Sequence, residues 1–139
     1  MTMAAGHLST SSEDYLERIH ELIEDKGYAR VSDIAHSLSL SRPSVSAMVQ
    51  KLAKGGFLTY EKYRGLSLTE KGRKAALRVK YRHIILAEFL TQLGLDLDIV
   101  LRDVEGMEHH ISPETLQKIE TLVRHWKKHP AQIRKILGA

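Results

Sequence analysis

The chain has 139 residues, a formal net charge of +4 and no cysteine, with 42% hydrophobic and 27% charged residues. This composition suits one sizeable core or two small ones, and it excludes disulfides, thiolate metal sites and cysteine nucleophiles. No apolar run approaches the length of a membrane span, and residues 1–12 lack the hydrophobic centre of a secretion signal, so a cytoplasmic protein with no membrane partner is expected. Charge is unevenly spread. Residues 1–26 hold six acids and two bases, residues 27–82 hold twelve bases and three acids, and residues 83–139 hold seven bases and eight acids. The central excess of positive charge is the footprint of a polyanion-binding unit, with a solvated basic face as the alternative.

Residues 9–12 offer several N-caps, followed by Glu13 and Asp14 in a first turn. Tyr15, Leu16, Ile19, Leu22 and Ile23 then recur at helical spacing, and Gly27 stops a first helix over 12–26. Asp14, Glu17 and Glu21 fall on the opposite face, where sequence physics alone makes them a solvated polar surface. Residues 31–38 predict a short amphipathic helix with Ile34, Ala35 and Leu38 inward. After Ser39 and Leu40, Ser41 caps another helix with Pro43 in its first turn, where a missing N–H costs nothing. Val45, Met48, Val49 and Leu52 form its buried stripe, and Gly55-Gly56 ends it. A short helix, a brief turn and a capped helix make a helix-turn-helix candidate. Its second helix exposes Arg42, Pro43, Ser44, Ser46, Ala47 and Gln50, small or hydrogen-bonding groups that enter a major groove without clashing.

Residues 57–60 and 66–68 predict two strands around the turn Glu61-Lys62-Tyr63-Arg64-Gly65. Two strands with a basic tip directly after a helix-turn-helix make a winged helix, with Lys62 and Arg64 on phosphates or in a minor groove. A winged helix used for protein contacts is the alternative. Thr69 caps a long helix reaching Gln92, basic in its first half and apolar in its second. His83 stands at the border of its apolar stripe, a position usually held by a hydrogen-bonded core histidine. Gly94 ends this helix. Ser112-Pro113-Glu114 opens a later one, and His129-Pro130 precedes a last basic segment over 131–137.

Between them, residues 95–111 predict a helix centred on Val104, with Leu97, Val100, Leu101, Met107 and Ile111 in one apolar stripe. Glu108 falls inside that stripe, and Glu105 and His109 sit along its edge. An unpaired carboxylate there is costly, so a divalent cation is the sharp reading. A narrower stripe that leaves Glu108 wet is the bland one.

Taken together, Glu13-Asp14-Tyr15-Leu16-Glu17, the helix-turn-helix with its wing, Tyr81-Arg82-His83 and Asp103-Val104-Glu105-Gly106-Met107-Glu108-His109-His110 resemble the diphtheria toxin repressor family, most closely its manganese branch. The resemblance covers nearly the whole chain. It implies a mainly α fold: a winged-helix DNA-binding domain over 1–70, then a helical metal-binding and dimerisation domain over 71–139. It implies a homodimeric repressor that binds a double-stranded DNA operator when loaded with manganese(II) (Mn2+), other divalent metals being possible. It also implies a paired site. One ion takes Asp14, the Glu105 carbonyl, Glu108 and His109; the other takes Glu17, His83, Glu105 and Glu108. Asp14 stands where iron-responsive members tend to carry methionine, their cysteine is absent, and 139 residues leave no room for their extra SH3-like domain. The alternatives are a winged-helix regulator answering to iron or to a small organic ligand. A hydrolase is disfavoured, because the chain has no H-E-x-x-H, no nucleophile elbow and no glycine-rich phosphate loop.

Overall fold

The computed structural model describes residues 8–61 and 65–138. The elements run α1 (Thr10–Lys26), α2 (Val31–Leu38), α3 (Arg42–Lys54), β1 (Leu58–Glu61), β2 (Gly65–Leu68), α4 (Glu70–Gln92), α5 (Leu97–Met107), α6 (Pro113–Lys128) and α7 (Pro130–Leu137). None of these helices is long and apolar enough to cross a membrane. Two compact units divide between Arg78 and Val79, inside the continuous helix α4.

The first unit is a mainly helical winged-helix arrangement. The Ser9 side chain accepts a hydrogen bond from the Ser12 N–H, and Gly27 closes α1 with a left-handed φ of 81° that side chains disfavour. The α2–α3 turn also needs a left-handed residue, and Ser39 supplies it at φ 55°. Ser41 then accepts from the Ser44 N–H and Pro43 lies in the first turn of α3. β1 and β2 pair antiparallel, with Leu58 opposite Leu68 and Glu61 opposite Gly65. A bridge from Ala29 to Leu66 anchors the chain before α2 to the wing. Leu16, Ile19, Ile34, Val45, Leu52, Leu58, Leu66 and Ala76 fill the core between these elements.

The second unit packs the later part of α4 with α5 and α6. Ile85, Leu86, Leu90, Val100, Val104 and Leu116 form its core. The Phe89 and Trp126 rings stack at 6.3 Å, and Gln92 donates to the Val123 carbonyl. Here the sequence expectation needs correction. α5 begins at Leu97, because Gly94 takes a φ of 86° and Asp96 becomes the N-cap. It ends at Met107, because the His110 N–H turns to the Met107 carbonyl and the chain passes into the Ser112 cap of α6. Its buried stripe is also narrower than the wheel implies. Val100 and Val104 are buried, while Leu97 and Leu101 are 70% and 50% exposed. Leu101 lies roughly 60° from Val104 around the helix, enough to leave the protomer core.

One close approach in the first unit is directly testable. Gly72, in the first turn of α4, sits where an added Cβ would fall 2.0 Å from the Phe57 carbonyl oxygen. Alanine normally stabilises a helix interior by about 1 kcal/mol over glycine. At this position the clash reverses the sign. Gly72→Ala is expected to lower stability by about 1–3 kcal/mol in urea unfolding, and a stabilised variant would show that α4 moves away from the wing at little cost.

Candidate metal centre and nucleic-acid interface

The candidate ligand groups of the second unit come from α4 and from the end of α5. On α4, His83 precedes Leu86 and Leu90 by three and seven residues, so it stands on the core-facing side of the helix. On α5, Val104 anchors the last turn in the core, and Glu108 caps that helix with its N–H on the Val104 carbonyl. Arg82 Nη1 donates to the Glu108 main-chain oxygen at 3.2 Å, which holds the end of α5 against α4.

Glu108 is 0% exposed, a fully buried carboxylate. Its Oε2 meets His83 Nδ1 at 2.8 Å. Its Oε1 lies 3.4 Å from His109 Nε2 and makes no hydrogen bond among the described residues. Glu105, Glu108 and His109 each offer a donor atom within 4.8 Å of the others. Glu105 is exposed and the His109 side chain almost wholly buried, so the group opens on one side. A buried carboxylate oxygen with no hydrogen bond, flanked by imidazoles and a second carboxylate, fits a divalent cation. Glu105, Glu108 and His109 could hold it, with His83 beside them on the Glu108 carboxylate. Asp14 and Glu17 lie three residues apart on α1 and both are half-buried.

The same chemistry appears in the protonation of Glu108. Burial raises its carboxyl above the ordinary range, the His83 hydrogen bond and charge pull it down, Glu105 raises it and His109 lowers it.

The candidate nucleic-acid surface lies in the first unit. Arg42, Pro43, Ser44, Ala47 and Gln50 are exposed on α3, with Ser46 half-buried. Lys62 and Arg64 lie outside the described residues. A groove of about 440 Å³ runs beside the start of α3, lined by Arg30, Val31, Ser32, Arg42, Ser46, Tyr60 and Gly65. Arg30, Ser32 and Tyr60 escaped sequence reasoning. The signals were present: Arg30 is the N-cap of α2 and Ser32 lies in its first turn, and Tyr60 stands on β1 and is 70% exposed.

The Glu108 shift sets a measurable pH dependence. A carboxyl whose folded pKa is raised contributes stability that is fully present below its unfolded value and lost as pH rises through the folded value. Between neutral pH and the ordinary glutamate value of about 4.3, falling pH should therefore favour the metal-free parent over Glu108→Gln. Thermal unfolding of both proteins in chelator across that window is the measurement. Parallel curves would mean that this carboxyl carries no burial cost.

The family described as "Iron dependent repressor, N-terminal DNA binding domain" matches residues 7–66. "Iron dependent repressor, metal binding and dimerisation domain" matches residues 69–136. Two relatives called HTH-type transcriptional regulator MntR are similar over most of their length. One, from Shouchella clausii (strain KSM-K16), is 51% identical over 123 residues, covering 88% of this chain and 86% of that one. The other, from Geobacillus kaustophilus (strain HTA426), is 53% identical over 118 residues, covering 85% and 84%. Among solved structures, the manganese regulator SloR has a TM-score of 0.72 at 31% identity, covering 81% of this chain and 53% of that one. The metal-dependent transcriptional regulator MtsR has a TM-score of 0.77 at 27% identity, with the same coverage. The chain thus spans about half the length of those two structures. With a winged helix, a buried carboxylate–imidazole group and both domain matches in place, the chain belongs to the iron-dependent, or diphtheria toxin, repressor family of transcriptional regulators.

Proposed function

We propose that this protein is a manganese(II)-responsive transcriptional repressor, most plainly of manganese-uptake genes, acting as a homodimer on an operator in double-stranded DNA. The observation that carries the reading is the Glu108 carboxylate, buried between His83 and His109 in a chain whose other unit is a winged helix. Its likeness to the manganese regulator SloR supports the choice of metal. So does the donor set, which is carboxylate and imidazole without sulfur.

The proposed centre adds Asp14 and Glu17 of the DNA-binding unit to His83, Glu105, Glu108 and His109, a set of carboxylates and imidazoles that would hold two divalent ions. When bound, the ions supply the positive charge that the clustered carboxylates lack. Asp14 and Glu17 then fix α1, Arg82 holds the end of α5, and the recognition helices α3 of the two protomers keep one spacing. Arg42 and the wing residues Lys62 and Arg64 contact phosphates, and Gln50 reads a base edge. Leu97 and Leu101, exposed and four residues apart on α5, form part of the face that meets the second copy. Since the family description names iron, iron(II) is the second reading.

The test is anaerobic binding to DNA upstream of the protein's own gene and its neighbours, titrated with manganese, iron or zinc. Manganese is expected to tighten binding about 5–150-fold, the usual range of an allosteric coupling. Glu108→Gln should abolish the response in a protein that stays folded and dimeric. A parent-like manganese response in that variant sinks the assignment, and a stronger response to iron than to manganese selects the second reading.

The dimer face has its own check. Placing charge at both apolar positions, Leu97→Glu with Leu101→Glu, is expected to shift the protein to monomer in sedimentation while helical content is kept. A variant that remains dimeric moves the interface elsewhere.

A further inference from the structure

The end of the second unit carries a cluster that the regulatory centre leaves unused. His125 lies in the last turn of α6, and His129 is its C-cap, with the His129 N–H on the His125 carbonyl. The next residue, Pro130, starts α7. The two imidazole rings face each other with centroids 4.7 Å apart and planes 39° from parallel. From the first turn of α7, Gln132 Oε1 reaches back to His125 Nε2 at 2.8 Å. All three side chains are exposed.

We propose that His125, His129 and Gln132 form a second metal site, taking borderline ions such as zinc(II) and separate from the carboxylate-rich centre. The geometry supplies the first reason. With metal–nitrogen bonds of about 2.0–2.1 Å, two imidazoles on one ion at roughly right to tetrahedral angles have ring centres about 4.5–5.2 Å apart. The observed 4.7 Å falls within that span. The rings need only rotate about χ2, a broad and soft torsion, to aim one nitrogen each at a shared point, and the proton that His125 Nε2 gives to the Gln132 Oε1 bond moves to Nδ1 as the ion takes Nε2.

The second reason is the donor type. Two imidazoles and an amide oxygen, with no carboxylate, suit zinc, nickel or copper and offer little to magnesium or manganese. Three donors also leave a position for water. The cationic neighbours do not defeat the site. Lys127 is held by Glu88 at 2.8 Å and Arg124 by Glu120 at 3.5 Å, so part of the local positive charge is already offset, and Lys128 remains to oppose a cation. Filling the site joins the last turn of α6 to the first turn of α7. The consequence is a protein that takes up zinc-class ions at a place other than the one that answers manganese.

The experiment is a zinc titration of the full chain, followed by the individual imidazole NMR resonances of His125 and His129. Reading each ring separately keeps binding at the Glu108 centre from confusing the result, and no DNA or manganese is involved. Both rings are expected to shift together and saturate at one zinc concentration, while magnesium leaves them unmoved. His129→Ala, an exposed substitution, should weaken the zinc response of His125 at least about tenfold, the loss expected when a second point of attachment is removed. Rings that respond at different zinc concentrations, or a smaller loss in His129→Ala, overturn the proposal and leave two independent surface histidines.

Discussion

A fully buried carboxylate governs the second unit. Glu108 has one oxygen on His83 and the other facing His109 without a hydrogen bond. A protein interior tolerates that arrangement only if something offsets the lost hydration. Replacing Glu108 by an apolar residue would be the simpler way to stabilise the end of α5. Keeping the carboxylate leaves the metal-free fold with a penalty that a divalent cation bound there would remove. The cost of burial thus becomes a source of binding free energy, and it also creates a preference between loaded and unloaded states. Arg82 matters for the same reason. Its bond to the Glu108 carbonyl holds the end of α5, and with it the carboxylate, against α4.

On the proposed function, linkage turns that preference into control of DNA binding. An ion that favours the DNA-competent arrangement is itself favoured by DNA, to the same extent, with a coupling on the order of 1–3 kcal/mol. Two recognition helices must lie about 34–36 Å apart to enter successive major grooves. Phosphate contacts from the basic central segment supply affinity for any sequence, and they weaken with salt. Metal therefore need not create the DNA surface. It need only reduce the range of arrangements that the two copies of α3 sample, a modest demand that matches the modest coupling.

The sequence revealed the first unit more fully than the second. Serine caps at Ser9 and Ser41, Pro43 in the first turn of α3 and the paired glycines at its end are local signals, and local signals place local structure. Glu108 was legible because it interrupts an apolar stripe. The wheel placed its neighbourhood correctly but extended the helix too far, since the turn after Met107 depends on the later Ser112 cap of α6. His83 was bland until α5 brought Glu108 to it, a contact between residues twenty-five positions apart that no periodicity encodes. Asp14 and Glu17 look like any solvated helix face, and only resemblance to a family raised them to ligands. Arg30, Ser32 and Tyr60 were missed for a related reason. Their groove exists only once the bridge from Ala29 to Leu66 brings the start of α2 beside the wing.

The donor chemistry also limits how such a centre could prefer manganese. Manganese(II) stands lowest in the divalent affinity order, so carboxylates and imidazoles bind zinc or copper at least as tightly. Selectivity must then come from what each ion does after binding. Zinc tends toward four ligands in a tetrahedral arrangement, and two imidazoles with the Glu108 carboxylate nearly satisfy it. Manganese accepts more oxygen ligands, so on the proposed ligand set it has reason to recruit Asp14 and Glu17, the carboxylates on α1. An ion content with its buried ligands leaves α1 untouched. An ion that needs further oxygens engages it. On the proposed ligand set, the same cysteine-free donors would therefore bind one metal tightly without a response and another more weakly with one, through coordination number more than affinity.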